Sequence, residues 1–571
     1  MKKKKKAATQ KSWIIAALER LQSEPELPFF IEFGGETLSR KTFFEHVNRL
    51  AGFMSANDLG HGTRVIFDID THVYWQTFAV WCACQMVDAV ACIWPPDMRY
   101  RHIEAELNDA ISINGFPAPV VVRSMARLNT WLKNDRDKEI EGRKFLYIAS
   151  NSEDDAAIDS LNAQLPSPTI TPFNRANGPT VSPALVDATV ARLYTQGSHL
   201  DARPVEIPYV HLQEQAEDLK LHFNLDSSAR IFIDLHTPHT VVLSLFAACA
   251  HTGAVFCCKS PEYDALDCLQ HDVTHAFLLP TTLENIRKKA LSPASAAGKK
   301  WRQFCLKAGH FNARHSSRPQ WTRSLIDSIC IHPLKNKVFC DLKAVISYGD
   351  HFNSKTAEFY TDLGITVYNA YTTCEFGFVH IHEFMGKGSY LKSVEVRIRN
   401  GILAVKSRRG THFSNMDDLV FEDERCGICT HRNFSITLSS GTSVDVSPMR
   451  EIIARHPVID EIFIFGQDRP FLTALIYLDR DALNRWAQSQ KLPPAPFSEL
   501  AQTPSVYTFI RSIVDDCNLR RSTFENIQKI AVIPRTLAED PRILTPTGLT
   551  RRTTVEHRYA SLLDAFYSNN Y

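Results

Sequence analysis

Leu544-Thr545-Pro546-Thr547-Gly548-Leu549-Thr550-Arg551-Arg552, just ahead of the apolar tail Leu562-Leu563-Asp564-Ala565-Phe566-Tyr567, decides how this chain is read. Thr547 to Arg551 reads as extended chain, in which side chains two apart share a face. Arg551 then points the same way as Leu549, displaced by roughly 6.6–6.8 Å at about 3.3–3.4 Å per residue. Leu549 carries no charge. Arg551 always carries one.

Working outward, the composition is that of an ordinary globular protein. At 571 residues the chain is long enough for more than one domain and a sizeable core. Its 64 basic and 63 acidic residues nearly cancel, so no global field argues for nucleic acid or an acidic polymer as partner. The 14 cysteines fall mostly in apolar runs, among them Cys82, Cys84, Cys92, Cys249, Cys257 and Cys258. They read as buried free thiols in a reducing compartment, not as a disulfide framework. Cys426-Gly-Ile-Cys429 is a lone C-x-x-C with no second pair at metal-site spacing, which favours a turn between strands over zinc or redox chemistry. Trp13 to Leu18 is too short for a secretory signal. Lys2 to Lys6 form a basic arm, read as a solvated tail or, in the alternative, as a weak tether to anionic lipid at about 1 kcal/mol per lysine near the surface. The expected location is cytoplasmic, with peripheral membrane contact through that arm as the variant reading.

The N-terminal half alternates helical and strand patterns, as α/β layers with mainly parallel sheet do. Ser39 to Leu59 has helical period, and Val65 to Ile69 follows as a strand. Val73 to Trp94 contains Gln76, Gln85 and Asp88 and reads as a buried helix followed by a strand, not a membrane span. A second such unit comprises Ile231 to Ile233, Val241 to Ala250 and Ala254 to Cys258. Ser292 to Pro319 is rich in Ala, Ser, Lys and Arg and reads as a mobile surface excursion. Asp417 to Arg432 is charged and turn-rich. Beyond it lies a compact α+β module, with a helix over Met449 to Arg455 and strands at Glu461 to Phe465 and Leu472 to Leu478. The expected division is 1–431 and 432–571.

Several segments carry candidate chemistry. Tyr194-Thr-Gln-Gly-Ser-His-Leu-Asp-Ala-Arg-Pro204 offers glycine, hydroxyls and a cation, the needs of a phosphate-cradling loop. Leu342-Lys-Ala-Val-Ile-Ser-Tyr-Gly-Asp350 is followed by Gly364-Ile-Thr-Val-Tyr-Asn-Ala-Tyr-Thr-Thr-Cys-Glu375, in which Glu375 comes after a strand. Asp417-Asp-Leu-Val420 and Thr430-His-Arg432 follow. Ser439-Ser-Gly-Thr442, His456-Pro-Val-Ile-Asp-Glu461 and Gly466-Gln-Asp-Arg-Pro-Phe-Leu-Thr-Ala-Leu-Ile476 complete the series.

In this order, and with the opening stretch, these segments resemble the adenylate-forming acyl-CoA synthetases, and within them the long-chain branch. The resemblance implies a large N-terminal α/β domain that binds AMP and the acyl group, and a small, mobile C-terminal α+β domain. It implies ATP-dependent activation of a carboxylic acid, of the fatty class, as acyl-adenylate. The acyl group then passes to a thiol, that of coenzyme A or of a carrier protein's phosphopantetheine, with Mg²⁺ as cofactor. Carried over position by position, Thr195, Gly197, Ser198 and Arg203 belong to the phosphate loop, and Leu200 and Pro204 stand where the family has glycines. Gly349 and Tyr371 line the adenine pocket, Glu375 binds the metal, Asp418 takes the ribose hydroxyls and Arg432 is the hinge-side arginine. Cys374 replaces a family threonine and Ser435 a family aspartate. His239 sits where the family often has a histidine at the mouth of the acyl and nucleotide sites. Leu549 stands in place of the lysine that serves adenylate formation, and Arg551 is the candidate replacement cation. The retained nucleotide and metal set favours an active enzyme. The lost lysine and glycines favour the alternative, a catalytically impaired member that binds or scaffolds.

Overall fold

Trp75–Val87 is a helix in which every side chain but Gln76 is buried, so the long apolar run has no solvent face to supply. It ends at Asp88, whose φ of 59° lies in the left-handed region that Asp enters more readily than most residues. The Asp88 carboxylate pairs with His61, and the chain turns into the strand Val90–Ile93 as its sequence leads one to expect. Upstream, the Ser39 hydroxyl accepts the Thr42 N–H at 3.1 Å and caps the helix Arg40–Ala56.

This computed structural model describes residues 10–69, 74–94, 100–134, 143–148, 152–164, 169–183, 185–186, 189–194, 204–234, 240–260, 262–291, 296–314, 324–349, 354–399, 402–421, 428–431, 435–519, 521–539, 543–544 and 550–568. Repeated strand–helix units build two sheets. The first has seven strands in the order Pro204–Pro208, Thr189–Tyr194, Val90–Ile93, Arg64–Asp68, Val120–Val122, Lys144–Tyr147, Thr169–Pro172, parallel except for the first pair. The second has nine. Six of them run parallel in the order Thr366–Thr373, Ala344–Tyr348, His275–Leu278, Arg230–Ile233, Val255–Lys259, Pro28–Phe33. Gly377–Glu383 and Gly388–Tyr390 extend one edge and Thr37–Ser39 the other, all antiparallel. Helices Trp75–Val87 and Thr240–Thr252 lie between the sheets, with the rings of Phe78 and Phe246 stacked at 4.4 Å. The strands are apolar on both faces because helices cover both.

A four-stranded antiparallel sheet follows, made of Val394–Arg399, Ile402–Ser407, Ser414–Phe421 and Ile428–His431. Part of the expected turn-rich Asp417 to Arg432 region is therefore strand, because Leu419, Val420 and Phe421 pair in register with Thr430, Cys429 and Ile428. Cys426 and Arg432 lie outside the described residues.

From Ser435 onward the chain forms a separate α+β unit. Its three-stranded sheet, Ile459–Phe465, Leu472–Leu478 and Ile527–Val532, presents its two faces to two cores. Ile462, Ile464, Ala474 and Ile476 face the helices Ser447–Ala454, Arg480–Ser489 and Pro504–Asn518. Phe463, Phe465, Leu475 and Tyr477 face Ala560–Tyr567, which explains the apolar tail. The chain thus has the expected plan of a large α/β part followed by a small α+β one.

One expectation fails. Ser292 to Pro319 is not a bare surface excursion, because Ala296–Arg314 is a helix of 19 residues. Its lysines and arginines hide the signal, but Cys305 is buried and Leu306 and Ala308 pack on the core beneath the nine-stranded sheet. Cys82, Cys84, Cys92, Cys249, Cys257 and Cys258 are free and buried, as are most of the other cysteines whose side chains are described, Cys340 being exposed. Among those residues no helix is long and apolar enough to cross a membrane.

Candidate functional site

The carboxyl ends of parallel strands are where open α/β sheets bind ligands. Ala344–Tyr348 and Thr366–Thr373 run parallel with Tyr348 opposite Ala370, so Gly349 emerges beside Tyr371. Gly349 has φ +91°, a conformation that favours glycine, and a Cβ built there would meet only Leu279 Cδ2, at 3.3 Å. Among the described residues nothing else approaches that position.

Past Tyr371 the chain makes a tight turn, Thr373 pairing with Gly377, and this turn carries Glu375, half-buried. The turn is clamped from three directions. The Cys374 thiol donates to the Tyr194 carbonyl at 3.4 Å, and the Thr240 hydroxyl donates to the Cys374 carbonyl. His211 Nε2–H donates to the Phe376 carbonyl at 3.0 Å. Gln215 brackets Phe378, donating to its carbonyl at 2.8 Å and accepting its N–H at 2.9 Å, and also donates to Ser393 Oγ at 2.6 Å. Burial, with Glu375 beside it, pushes the Cys374 thiol well above its usual range, so it stays a donor. Cysteine in place of a hydroxyl residue therefore keeps a weak hydrogen bond. Burial pushes His211 down, which keeps it neutral at pH 7.

These contacts bring together segments far apart in the chain. Tyr194 is the last residue before the loop that contains Thr195, Gly197, Ser198 and Arg203. Thr240 is the first residue after the one that contains His239. The two meet at Cys374, next to Glu375. Thr195, Gly197, Ser198, Arg203 and His239 themselves lie outside the described residues. Strands Thr189–Tyr194 and Pro204–Pro208, which flank residues 195–203 in sequence, pair antiparallel with Tyr194 opposite Pro204. Arg192 anchors that strand pair through two bonds to Glu106, at 2.9 and 2.8 Å.

Asp418 is carried by the four-stranded sheet, opposite His431. Near the chain's end Thr550 forms an antiparallel bridge with Leu544, and most of the stretch expected to be extended, 547–549, lies outside the described residues. Leu549 falls outside the described residues. Arg551 precedes the helix Arg552–Arg558, donates its backbone N–H to the Ile543 carbonyl at 2.6 Å, and is half-buried. Arg552 is a structural arginine: it donates to the Ile464 carbonyl, its guanidinium lies 4.6 Å from the centre of the Phe465 ring, and burial pushes it down to about 10.

Sequence reasoning missed the supports: His211, Gln215 and Thr240 have no local pattern to mark them. It also missed Asp234, buried at the end of Arg230–Ile233, which accepts from Thr282 Oγ1 at 3.1 Å and lies 3.7 Å from Lys259 Nζ. A lone carboxylate closing an apolar strand was the available signal.

The family described as AMP-binding enzyme matches residues 18–410, more than half of the chain. The chain belongs to this family. The AMP-binding enzyme C-terminal domain matches residues 434–571. Among curated relatives, the long-chain-fatty-acid–CoA ligase FadD15 of Mycobacterium bovis is 24% identical over 444 residues, spanning 68% of this chain and 73% of that protein. In solved structures, the adenylation domain of a Mycobacterium chelonae carboxylate reductase superposes with a TM-score of 0.72 at 14% identity, covering 98% of this chain and 92% of that one. The o-succinylbenzoate CoA synthetase of Bacillus subtilis, bound to its acyl-adenylate intermediate, gives 0.63 at 14% identity, covering 96% and 98%. These structural likenesses establish the adenylate-forming fold.

Proposed function

We propose that the protein activates a carboxylic acid of the fatty class with ATP as acyl-adenylate, then passes the acyl group to a thiol of coenzyme A or of a carrier protein's phosphopantetheine. The carrying observation is the convergence on the Glu375 turn of the chain entering the Thr195–Arg203 loop and the chain leaving His239. The fatty class and the coenzyme A acceptor draw support from the relatives named as long-chain-fatty-acid–CoA ligases. The buried free cysteines fit a reducing, cytoplasmic setting.

In this reading the backbone at Gly349 and the ring of Tyr371 receive adenine, and Asp418 accepts from the ribose hydroxyls. Thr195, Gly197, Ser198 and Arg203 hold the phosphates, with His239 at the mouth shared with the acyl site. Glu375 is the ligand for Mg²⁺, an ion that prefers oxygen and usually shares its shell between a carboxylate and substrate phosphates. The bound ion supplies positive charge beside the reacting phosphate. The chain's own task is positioning and charge balance, the larger part of catalysis in such transfers. His211 and Gln215 serve it by fixing the turn. The direct test is calorimetric titration with Mg²⁺–ATP: native protein should bind and Asp418→Ala should bind more weakly, whereas equal affinity refutes this pocket as the nucleotide site.

Residues 1–431 would then be the AMP- and acyl-binding domain and 432–571 the mobile one. Hinges absorb backbone change at a few element-terminal residues, and Arg432 to Ser435 join two separately cored units. Limited proteolysis is expected to nick there, and ATP with acyl substrate to protect the junction. Equal resistance with and without ligands counts against the swing.

Leu549 and Pro204 favour the second reading, a member that binds nucleotide with impaired turnover. Leu549→Lys is expected to raise adenylate formation by about 10²-fold, the size of one charge-stabilising donor. Arg551→Ala should lower it in the native background. If neither substitution changes the rate of pyrophosphate release, neither position serves catalysis.

A further inference from the structure

We infer that the helix Ala296–Arg314 and the adjoining segment 324–338 form a face that seats on an anionic phospholipid surface. Trp301 is 41% exposed and Phe304 63%, three residues apart and hence on one side of their helix. Leu325 is 53% exposed and Ile329 61%, four apart on the second segment. The two segments pack together, since Cys305 meets Cys330 in the buried core and Asn312 Nδ2 donates to Asp327 Oδ1 at 2.7 Å. Phe304 and Ile329 are the chain neighbours of that buried cysteine pair, yet both are open to solvent.

The charge along these elements has one sign. Ala296–Arg314 contains Lys299, Lys300, Arg302, Lys307 and Arg314 and no acidic residue. The second segment has Lys335 and Lys337 against Asp327 alone, and that carboxylate is engaged by Asn312. In a chain of net charge +1 this is a local excess, not a reflection of the whole. Bulky apolar side chains interleaved with cations along a helix are the pattern of an element that lies in the membrane interface, its apolar groups at the acyl boundary and its cations on anionic headgroups. Tryptophan is enriched at that level. An acidic protein would answer the charge but leave Trp301, Phe304, Leu325 and Ile329 without an apolar counterpart, so lipid is the occupant that meets both properties.

The full chain with Lys2 to Lys6 all replaced by Gln removes the basic arm as a competing tether. It is expected to co-sediment with vesicles of phosphatidylcholine mixed with phosphatidylglycerol, not with phosphatidylcholine alone, and to be released as salt rises. Phe304→Glu with Ile329→Glu, and the milder Phe304→Ser with Ile329→Ser, should each cut vesicle retention by about 10-fold or more, with melting and Mg²⁺–ATP binding unchanged. Absence of retention on anionic vesicles, or retention indifferent to both pairs of substitutions, overturns the inference. So does a native oligomer that these substitutions split, since a second copy would then be what covers the face.

Discussion

Glu375→Gln is expected to lower acyl-adenylate formation by on the order of 10²–10³, the cost of removing one preorganised charge-stabilising group, and to weaken Mg²⁺–ATP binding. The amide keeps the shape of the side chain and removes only its charge. The turn that presents it is held by contacts of Cys374, Phe376 and Phe378 with Tyr194, Thr240, His211 and Gln215. Thermal stability is therefore expected to stay nearly constant, with a change within about 0.5 kcal/mol as for ordinary substitutions away from the core. Steady-state pyrophosphate release alongside a thermal melt separates the two quantities. A rate that holds, or a rate that falls only in step with stability, removes Glu375 from the metal site.

Gly377→Ala should have the largest structural effect. Gly377 closes the Glu375 turn at φ +65°, and a Cβ there would lie 2.9 Å from Gln215 Oε1 and 3.2 Å from both Ser244 Oγ and Thr240 Cγ2. Left-handed backbone costs a non-glycine residue roughly 1–2 kcal/mol, and overpacking a filled site costs about 1–3 kcal/mol more. Gln215 cannot yield without losing its bonds to Phe378 and Ser393. The expected result is a lower urea midpoint together with loss of Mg²⁺–ATP binding at temperatures where the variant is still folded. Native-like nucleotide affinity in the folded variant would show that the clamp does not set the site.

Much of this arrangement was legible in the sequence wherever one period dominates. Leu472–Leu478 reads as a strand to the residue, because both its faces are buried and Thr473 alone interrupts the apolar run. Asp88 takes the left-handed conformation at the end of its helix, which its short polar side chain tolerates. The helix Ala296–Arg314 was not legible, since its basic residues outnumber the few apolar positions that anchor it. For the site, Gly349, Tyr371 and Glu375 came from the resemblance, and the register of two parallel strands sets the first two side by side. What holds them could not be seen. His211 and Gln215 act across more than 160 residues of chain, on backbone groups that no local pattern marks.

Carboxylate-dependent exchange of labelled pyrophosphate into ATP, run over fatty acids of increasing length with Mg²⁺ present, tests the central claim most directly. The account predicts exchange that requires a carboxylic acid, peaks within the fatty series and falls sharply in Glu375→Gln. Tight Mg²⁺–ATP binding with no exchange on any carboxylate, in the native protein and in Leu549→Lys alike, would contradict it.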